Sequence, residues 1–265
     1  MLFKVGDIVS RKSHNNDVVF KIRNIIDDIV YLDGVDLRLS ADASIDDIVI
    51  VGSDIISDDS KITSENIDTL NINRNDYFYI PGSILHIDGD DTYLDRCMRF
   101  YKNIGVKANG ISIKESLIST KINDLLSEYN PDILVITGHD AYYSKNNDIN
   151  NLANYQNSSN FIKAIKKARK YENSHDKLII IAGACQSNYE ELIRAGANFA
   201  SSPKRINIHA LDPAIIATTL AFSDKNQSID LLKVLEKTKF GCGGMGGIIT
   251  NGTMYVGYPR WIKVN

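Results

Sequence analysis

The chain has 265 residues, 43% hydrophobic and 24% charged, proportions typical of a globular protein with one large core and a smaller second domain. Its formal net charge of -3 provides no general basic field, so we expect no nucleic-acid binding. The apolar runs are shorter than the roughly 20 residues that span a bilayer, and residues 1–7 lack a signal-peptide pattern, so we expect a cytoplasmic protein without membrane insertion.

The first 52 residues contain only short β-rich runs separated by turn residues such as Asp33 and Gly34. Four or five strands of this length without a helix predict a small all-β, SH3-like barrel. A docking role and a purely structural role both fit such a module. Residues 53–75 are rich in Asp, Ser, Asn and Thr, which predicts a polar linker and the domain boundary.

Residues 76–265 alternate between strand-like and helical segments, which is the pattern of an α/β domain. The predicted strands are 83–87, 106–113, 132–137, 178–182 and 198–201, and the predicted helices are 93–103, 114–129, 161–171, 189–195, 213–222 and 228–237. This order predicts a flavodoxin-like wound parallel sheet with helices on both faces. The glycine-rich segment 241–247 then predicts a β-hairpin that turns through Asn251 and Gly252.

Two reactive side chains follow apolar strands of this predicted sheet. His139 comes directly after the strand 132–137 and Gly138, and Cys185 comes after the strand 178–182, Gly183 and Ala184. In open parallel sheets the chemistry gathers beyond the carboxyl ends of the strands. We therefore predict Cys185 as a thiol nucleophile and His139 as the general acid and base.

A thiol attack on a carbonyl also needs donors for the developing oxyanion. The backbone N–H groups of Cys185 and Gly138 are the candidates, since both lie at strand ends. A purely structural interpretation stays open, with Cys185 as a small buried residue and His139 as a turn cap.

Cys242, in the glycine-rich tail, is the reserve nucleophile. The other histidines, His14, His86, His175 and His209, are interpreted as structural or surface residues.

At these residues the chain resembles the caspase-like cysteine peptidases, in which a histidine after one strand precedes a cysteine after the next. Asp140 stands where that group usually has a glycine after the histidine. The motifs around His139 and Cys185, together with the segment 195–203 and the glycine-rich tail, resemble the YabG family of sporulation peptidases. That resemblance implies a caspase-like domain and an endopeptidase that cleaves after basic residues, chiefly arginine. Its expected partners are protein substrates, namely spore coat and cortex-associated proteins in the mother cell.

Selectivity for arginine requires a carboxylate that meets the guanidinium group. Asp88 is the first candidate for this substrate-binding role, followed by Asp90, and Asp140 is a further one. Capping of the following helix is an equally good interpretation of the cluster around Asp90.

Two other classes of protein share parts of this pattern. A non-catalytic receiver-like regulator would have the same kind of sheet, but Thr137 and Ser202 stand where its phospho-accepting aspartate and its lysine belong. An amidotransferase-like enzyme would place its histidine after the nucleophile, where only His209 is available. The cysteine peptidase is therefore the preferred prediction.

The three cysteines are too few and too scattered for a disulfide framework or a zinc cage, and no metal or organic cofactor is predicted. Lys61 and Arg74 in the predicted linker are candidate sites of self-processing. The oligomeric state is left open by these patterns.

Overall fold

The computed structural model describes residues 3–52, 77–143 and 148–259. The chain divides into two compact units, Met1–Ser60 and Lys61–Asn265. The predicted linker 53–75, with Lys61 and Arg74, lies outside the described residues.

The first unit is an antiparallel five-stranded sheet in the order β4-β3-β2-β1-β5. Its strands are β1 (Ile8–Arg11), β2 (Phe20–Ile26), β3 (Ile29–Gly34), β4 (Ser40–Ser44) and β5 (Ile48–Ile50). Six fully or almost fully buried residues form its core: Val9, Phe20, Ile22, Val30, Leu32 and Ile48. The all-β prediction for this region is confirmed, while closure into an SH3-like barrel stays a prediction.

The second unit is built on a six-stranded sheet in the order β12-β11-β10-β9-β7-β8. Its strands are β7 (Ile84–Asp88), β8 (Ala108–Ser112), β9 (Ile133–Thr137), β10 (Ile179–Ala182), β11 (Phe199–Ser201) and β12 (Met245–Gly247). The first five are parallel to one another, and β12 joins β11 antiparallel. Counted within this sheet, the order 2-1-3-4-5 is the flavodoxin-like order, so the predicted wound parallel sheet is confirmed.

Helices cover both faces of this sheet. They are α1 (Asp91–Ile104), α2 (Glu115–Tyr129), α3 (Ser158–Tyr171), α4 (Tyr189–Arg194), α5 (Asp212–Ala221) and α6 (Leu231–Glu236). Alternate strand residues feed two cores, because successive side chains of a strand point to opposite faces. Val135 and Ile181 pack with α1, α5 and α6, whereas Leu134 and Ile180 pack with α2, α3 and α4. Both core faces therefore come from the continuous apolar runs visible in the sequence.

The glycine-rich tail differs from its prediction. β12 pairs with β11, and a later strand, β13 (Tyr255–Gly257), pairs with β6 (Phe78–Ile80), so the expected hairpin through Asn251 and Gly252 is wrong. The pairing of β12 with β11 requires glycine at two positions. A Cβ on Gly246 would lie 2.7 Å from the Tyr189 hydroxyl, and one on Gly247 would lie 2.6 Å from the Asn198 carbonyl. These glycines let β12 approach the sheet edge.

Among the helices of the described ranges, none is both long and apolar enough to cross a membrane.

Candidate active site

The site lies beyond the carboxyl ends of three neighbouring strands, β7, β9 and β10. Asp88, the last residue of β7, is in register with Thr137, the last residue of β9. Ala182, the last residue of β10, is in register with Ile136. The segments that follow therefore leave the sheet at the same level, which places the loops carrying His139 and Cys185 side by side.

His139 is partly exposed and is held by two carboxylates. Its Nε2 lies 3.1 Å from Oδ2 of Asp90, and its backbone N–H donates to Oε1 of Glu115 at 2.8 Å. The edge of the ring meets Tyr93, with 5.8 Å between ring centroids. The imidazole is thereby fixed from the side of β7 and α1.

Asp90 is the N-cap of α1. Its Oδ1 accepts hydrogen bonds from the backbone N–H groups of Thr92 at 2.9 Å and Tyr93 at 3.0 Å. Burial opposes its charge, yet the hydrogen bond from His139 and the backbone donors outweigh that effect and lower the pKa of Asp90. An ionised carboxylate only accepts hydrogen bonds, so Nε2 of His139 carries the proton in this pair.

Glu115 was not identified from the sequence, because a glutamate at the start of a helix is an ordinary feature. Its carboxylate lies against the main chain of two glycines that follow β7 and β9, Gly89 and Gly138. A Cβ on Gly138 would lie 2.5 Å from Oε1 of Glu115. Glycine at this position is what lets Glu115 reach the His139 backbone.

Cys185 lies in the turn between β10 and α4 and is 1% exposed. Its Sγ accepts a hydrogen bond from the Ile208 backbone N–H at 3.3 Å and lies 3.9 Å from the Ile208 carbonyl oxygen. The turn contains two positive φ angles, 109° at Gly183 and 56° at Gln186. The second is unusual for a residue with a side chain and marks local strain beside the thiol.

Asp140 connects the two loops. Its Oδ1 accepts from the backbone N–H groups of Ala141 and Asn157, and its Oδ2 accepts from the hydroxyls of Ser158 at 2.5 Å and Ser187 at 2.9 Å. Burial is the dominant influence and raises the pKa of Asp140 despite these four donors. Asp140 is only 7% exposed, so its carboxylate is a structural connection between segments in this conformation.

A second polar network lies inside the sheet, below the site. Thr137 donates its hydroxyl hydrogen to Oδ2 of Asp88 at 2.7 Å, and Nε2 of His86 lies 2.8 Å from the same hydroxyl. Nδ1 of His86 meets the Tyr101 hydroxyl at 2.9 Å. All four residues are fully buried. Asp88 also accepts from the backbone N–H of Asp90 at 3.0 Å, which links this network to the residue that holds His139.

The predicted site residues therefore fall into distinct environments. His139 and Asp90 are in direct contact, Asp88 is inside the core, and Asp140 joins the loops. The Cys185 thiol contacts the main chain of Ile208, in the loop between β11 and α5. Sequence reasoning missed the side chains that only the tertiary fold brings here: Thr137, Glu115, Ser158 and Ser187. His86, interpreted as a structural or surface residue, is a buried partner of Thr137.

The predicted reserve nucleophile has a different environment. Cys242 is an exposed thiol in the short 3-10 turn Gly241–Gly243. Within the described parts of the chain, His, Cys, Asp and Glu side chains do not come together in groups of three or more that could hold a metal ion.

Comparison with known proteins gives two matches that cover nearly the whole chain. A family model described as YabG peptidase U57 matches residues 4–259. The sporulation-specific protease YabG of Bacillus subtilis (strain 168) is 41% identical over 286 residues, which cover 98% of this chain and 99% of that protein.

Proposed function

This chain belongs to the YabG peptidase family, and on that premise we propose that it is a caspase-like cysteine endopeptidase with Cys185 as nucleophile and His139 as acid and base. One observation carries the assignment: the two side chains follow neighbouring parallel strands, on loops that are hydrogen-bonded to each other. A thiol and an imidazole at such a position have the chemistry that amide hydrolysis needs.

The first proton transfer takes place between the Cys185 thiol and the His139 imidazole. Because Nε2 of His139 is engaged with Asp90, Nδ1 takes the proton from the Cys185 thiol. The Ile208 N–H, which donates to Sγ at 3.3 Å, stabilises the resulting thiolate. Asp90 acts as the orienting group, as the third member of a catalytic triad does.

The thiolate then attacks the peptide carbonyl carbon and forms a tetrahedral oxyanion. The backbone N–H groups of Cys185 and Gly138 are the proposed donors to that oxygen. Protonated His139 gives its proton to the leaving amine as the C–N bond breaks, which leaves a thioester on Cys185. His139 next removes a proton from water, whose attack releases the acid and restores the thiol.

Substrate entry requires a local movement, because Cys185 is 1% exposed. Ile208 contacts the thiol through both its N–H and its carbonyl group. The loop containing Ile208 must shift for a peptide carbonyl to reach Sγ.

For selectivity toward arginine, the burial of the three candidate carboxylates favours Asp90. Asp88 is 0% exposed and bonded to Thr137 and Asp90, and Asp140 is 7% exposed with four donors. The Asp90 side chain is 17% exposed beside His139, so a guanidinium reaches it with the least rearrangement. We propose Asp90 in place of Asp88 as the group that meets the basic substrate residue.

The natural substrates are proposed to be spore coat and cortex-associated proteins cleaved in the mother cell during sporulation. Support comes from the family and from the name of the B. subtilis relative, which is a sporulation-specific protease. Incubating purified enzyme with extracted coat proteins and sequencing the new N-termini tests this. Cleavage sites without a preceding basic residue would contradict the proposed selectivity.

The dyad is tested with arginyl peptide amides and three variants. Cys185→Ala and His139→Ala should each lower kcat/KM by at least about 10³-fold. Cys242→Ala is the control, since it makes the same substitution at the exposed cysteine, and it should retain wild-type activity. Full activity in Cys185→Ala would overturn the assignment, and loss confined to Cys242→Ala would transfer the nucleophile to the tail.

The role of Asp90 is tested with paired substrates. Citrulline has the shape of arginine without its charge, so Asp90→Asn should reduce the preference for arginine over citrulline by about tenfold or more. An equal loss on both substrates would mean that Asp90 orients His139 only.

A further inference from the structure

Asp140 stands directly after the proposed base, and its contacts reach the loop that carries the proposed nucleophile. Oδ2 accepts the hydroxyl hydrogen of Ser187 at 2.9 Å. The Ser187 oxygen in turn accepts the backbone N–H of Ala184 at 2.9 Å, and Ala184 is the residue before Cys185. Two hydrogen bonds through the Ser187 hydroxyl therefore connect the residue after His139 to the residue before Cys185.

A second arm leaves the same carboxylate oxygen. Ser158 donates to Oδ2 at 2.5 Å and accepts the backbone N–H of Asn188 at 2.8 Å. Asn188 is the N-cap of α4 and Ser158 is the first residue of α3, so this arm joins the starts of these two helices, three residues after Cys185. Both serines are fully buried.

The hydrogen bonds through Ser187, which form the first arm, hold a turn whose backbone is strained. Gln186, directly after Cys185, has φ of 56°, a conformation that side-chain-bearing residues adopt only when their surroundings hold them. Its side-chain oxygen accepts the backbone N–H of Tyr142 at 3.2 Å, a further contact between the same two loops. The loops thus touch on both sides of the thiol.

We propose that Asp140, acting through Ser187, is a positioning residue that sets the Cys185 turn relative to His139. The arm through Ser187 fixes the nucleophile, and the arm through Ser158 fixes the helices. Misplacement of reacting groups by about 1 Å is enough to cost about 10²-fold in rate. This inference rests on the proposed dyad and adds to it the group that holds the dyad together.

The two serines provide a matched pair of variants. Ser187→Ala and Ser158→Ala each remove one hydroxyl that donates to Asp140 and accepts one backbone N–H, so similar decreases in the urea midpoint are expected. Ser187→Ala should lower kcat by about 10- to 100-fold with KM within about twofold. Ser158→Ala should lose at least tenfold less in kcat than Ser187→Ala.

The reactivity of the thiol gives a readout that stability alone would leave unchanged. In a Cys242→Ala background, inactivation by an arginyl chloromethyl ketone reports on Cys185, and Ser187→Ala should slow it by the same factor as kcat. If the two serine variants lose kcat equally, in proportion to their urea midpoints, the positioning role is overturned.

Asp140→Asn provides a second test should Ser187→Ala fail to fold. It keeps the shape but replaces one acceptor oxygen by a donor, and kcat should again fall with KM unchanged. Wild-type kcat and alkylation rate in Asp140→Asn would overturn the proposal. Full activity in Cys185→Ala would instead overturn the dyad itself, so the two failures are distinguishable.

Discussion

The two loops of the site are held in opposite ways. The loop with His139 is partly exposed and fixed by side chains, chiefly the carboxylates of Asp90 and Glu115. The loop with Cys185 is buried, and its thiol is fixed by the main chain of Ile208. Substitutions near His139 should therefore alter the catalytic rate through the charge and orientation of the imidazole. The reactivity of Cys185 should depend on how easily a reagent reaches the buried thiol.

The largest effect expected from this difference between the loops concerns access to the thiols. Iodoacetamide should modify exposed Cys242 about 10²-fold or more faster than Cys185, since a buried thiol reacts only after local opening. An arginyl chloromethyl ketone, which occupies the substrate site, should instead select Cys185. Peptide mapping by mass spectrometry identifies the modified residue. Fast iodoacetamide labelling of Cys185 would contradict the conclusion that the Cys185 loop is closed to solvent while the His139 loop is partly open.

A smaller effect is expected from Gly138→Ala on the loop of the base. The added methyl group would lie 2.5 Å from Oε1 of Glu115 and displace the acceptor of the His139 N–H, so kcat should fall by about tenfold or more. Gly52→Ala is the control, because a Cβ there would have no atom of the described residues within 4 Å. Steady-state kinetics of both variants decide the matter. Equal activities would show that Glu115 adapts without moving His139.

Below the loops, Thr137→Val tests the buried network on its own. Valine keeps the shape but removes the hydroxyl shared by Asp88 and His86, so unfolding free energy should fall by about 1–3 kcal/mol. Thr120→Val, an exposed threonine with one hydroxyl bond to the Leu117 carbonyl, should change it by less than about 0.5 kcal/mol. Urea unfolding measures both. Equal changes would mean that the network adds nothing to stability.

The smallest effect is the pH dependence that Asp90 contributes. Its pKa is lowered in the folded chain, so its stabilisation is present above the ordinary value of 3.8 and is lost as pH falls through the folded value. Asp90→Asn keeps a good N-cap and removes the carboxylate that titrates. Urea unfolding at pH 7 and pH 3 should show wild type losing its advantage over Asp90→Asn at the lower pH. A constant difference would contradict the assigned shift.

The positions of the parallel strands and helices of the second unit were predictable because they depend on local periodicity. The apolar runs at 132–137 and 178–182 became β9 and β10, and the helix predicted at 114–129 is Glu115–Tyr129. The pairing of the tail was not predictable. Asn251 and Gly252 have the local signature of a hairpin, but the packing of Gly246 and Gly247 against residues of α4 and β11 directs β12 to the sheet edge.

The sequence by itself determined that a histidine and a cysteine each follow an apolar strand of a wound sheet, because short-range patterns fix both the strands and their ends. Only the tertiary structure decided the surroundings of those two residues. Asp90 meets His139 across 49 positions of sequence and Ser187 meets Asp140 across 47. Such contacts depend on the sheet order and on side-chain packing, which leave no periodic trace in the chain.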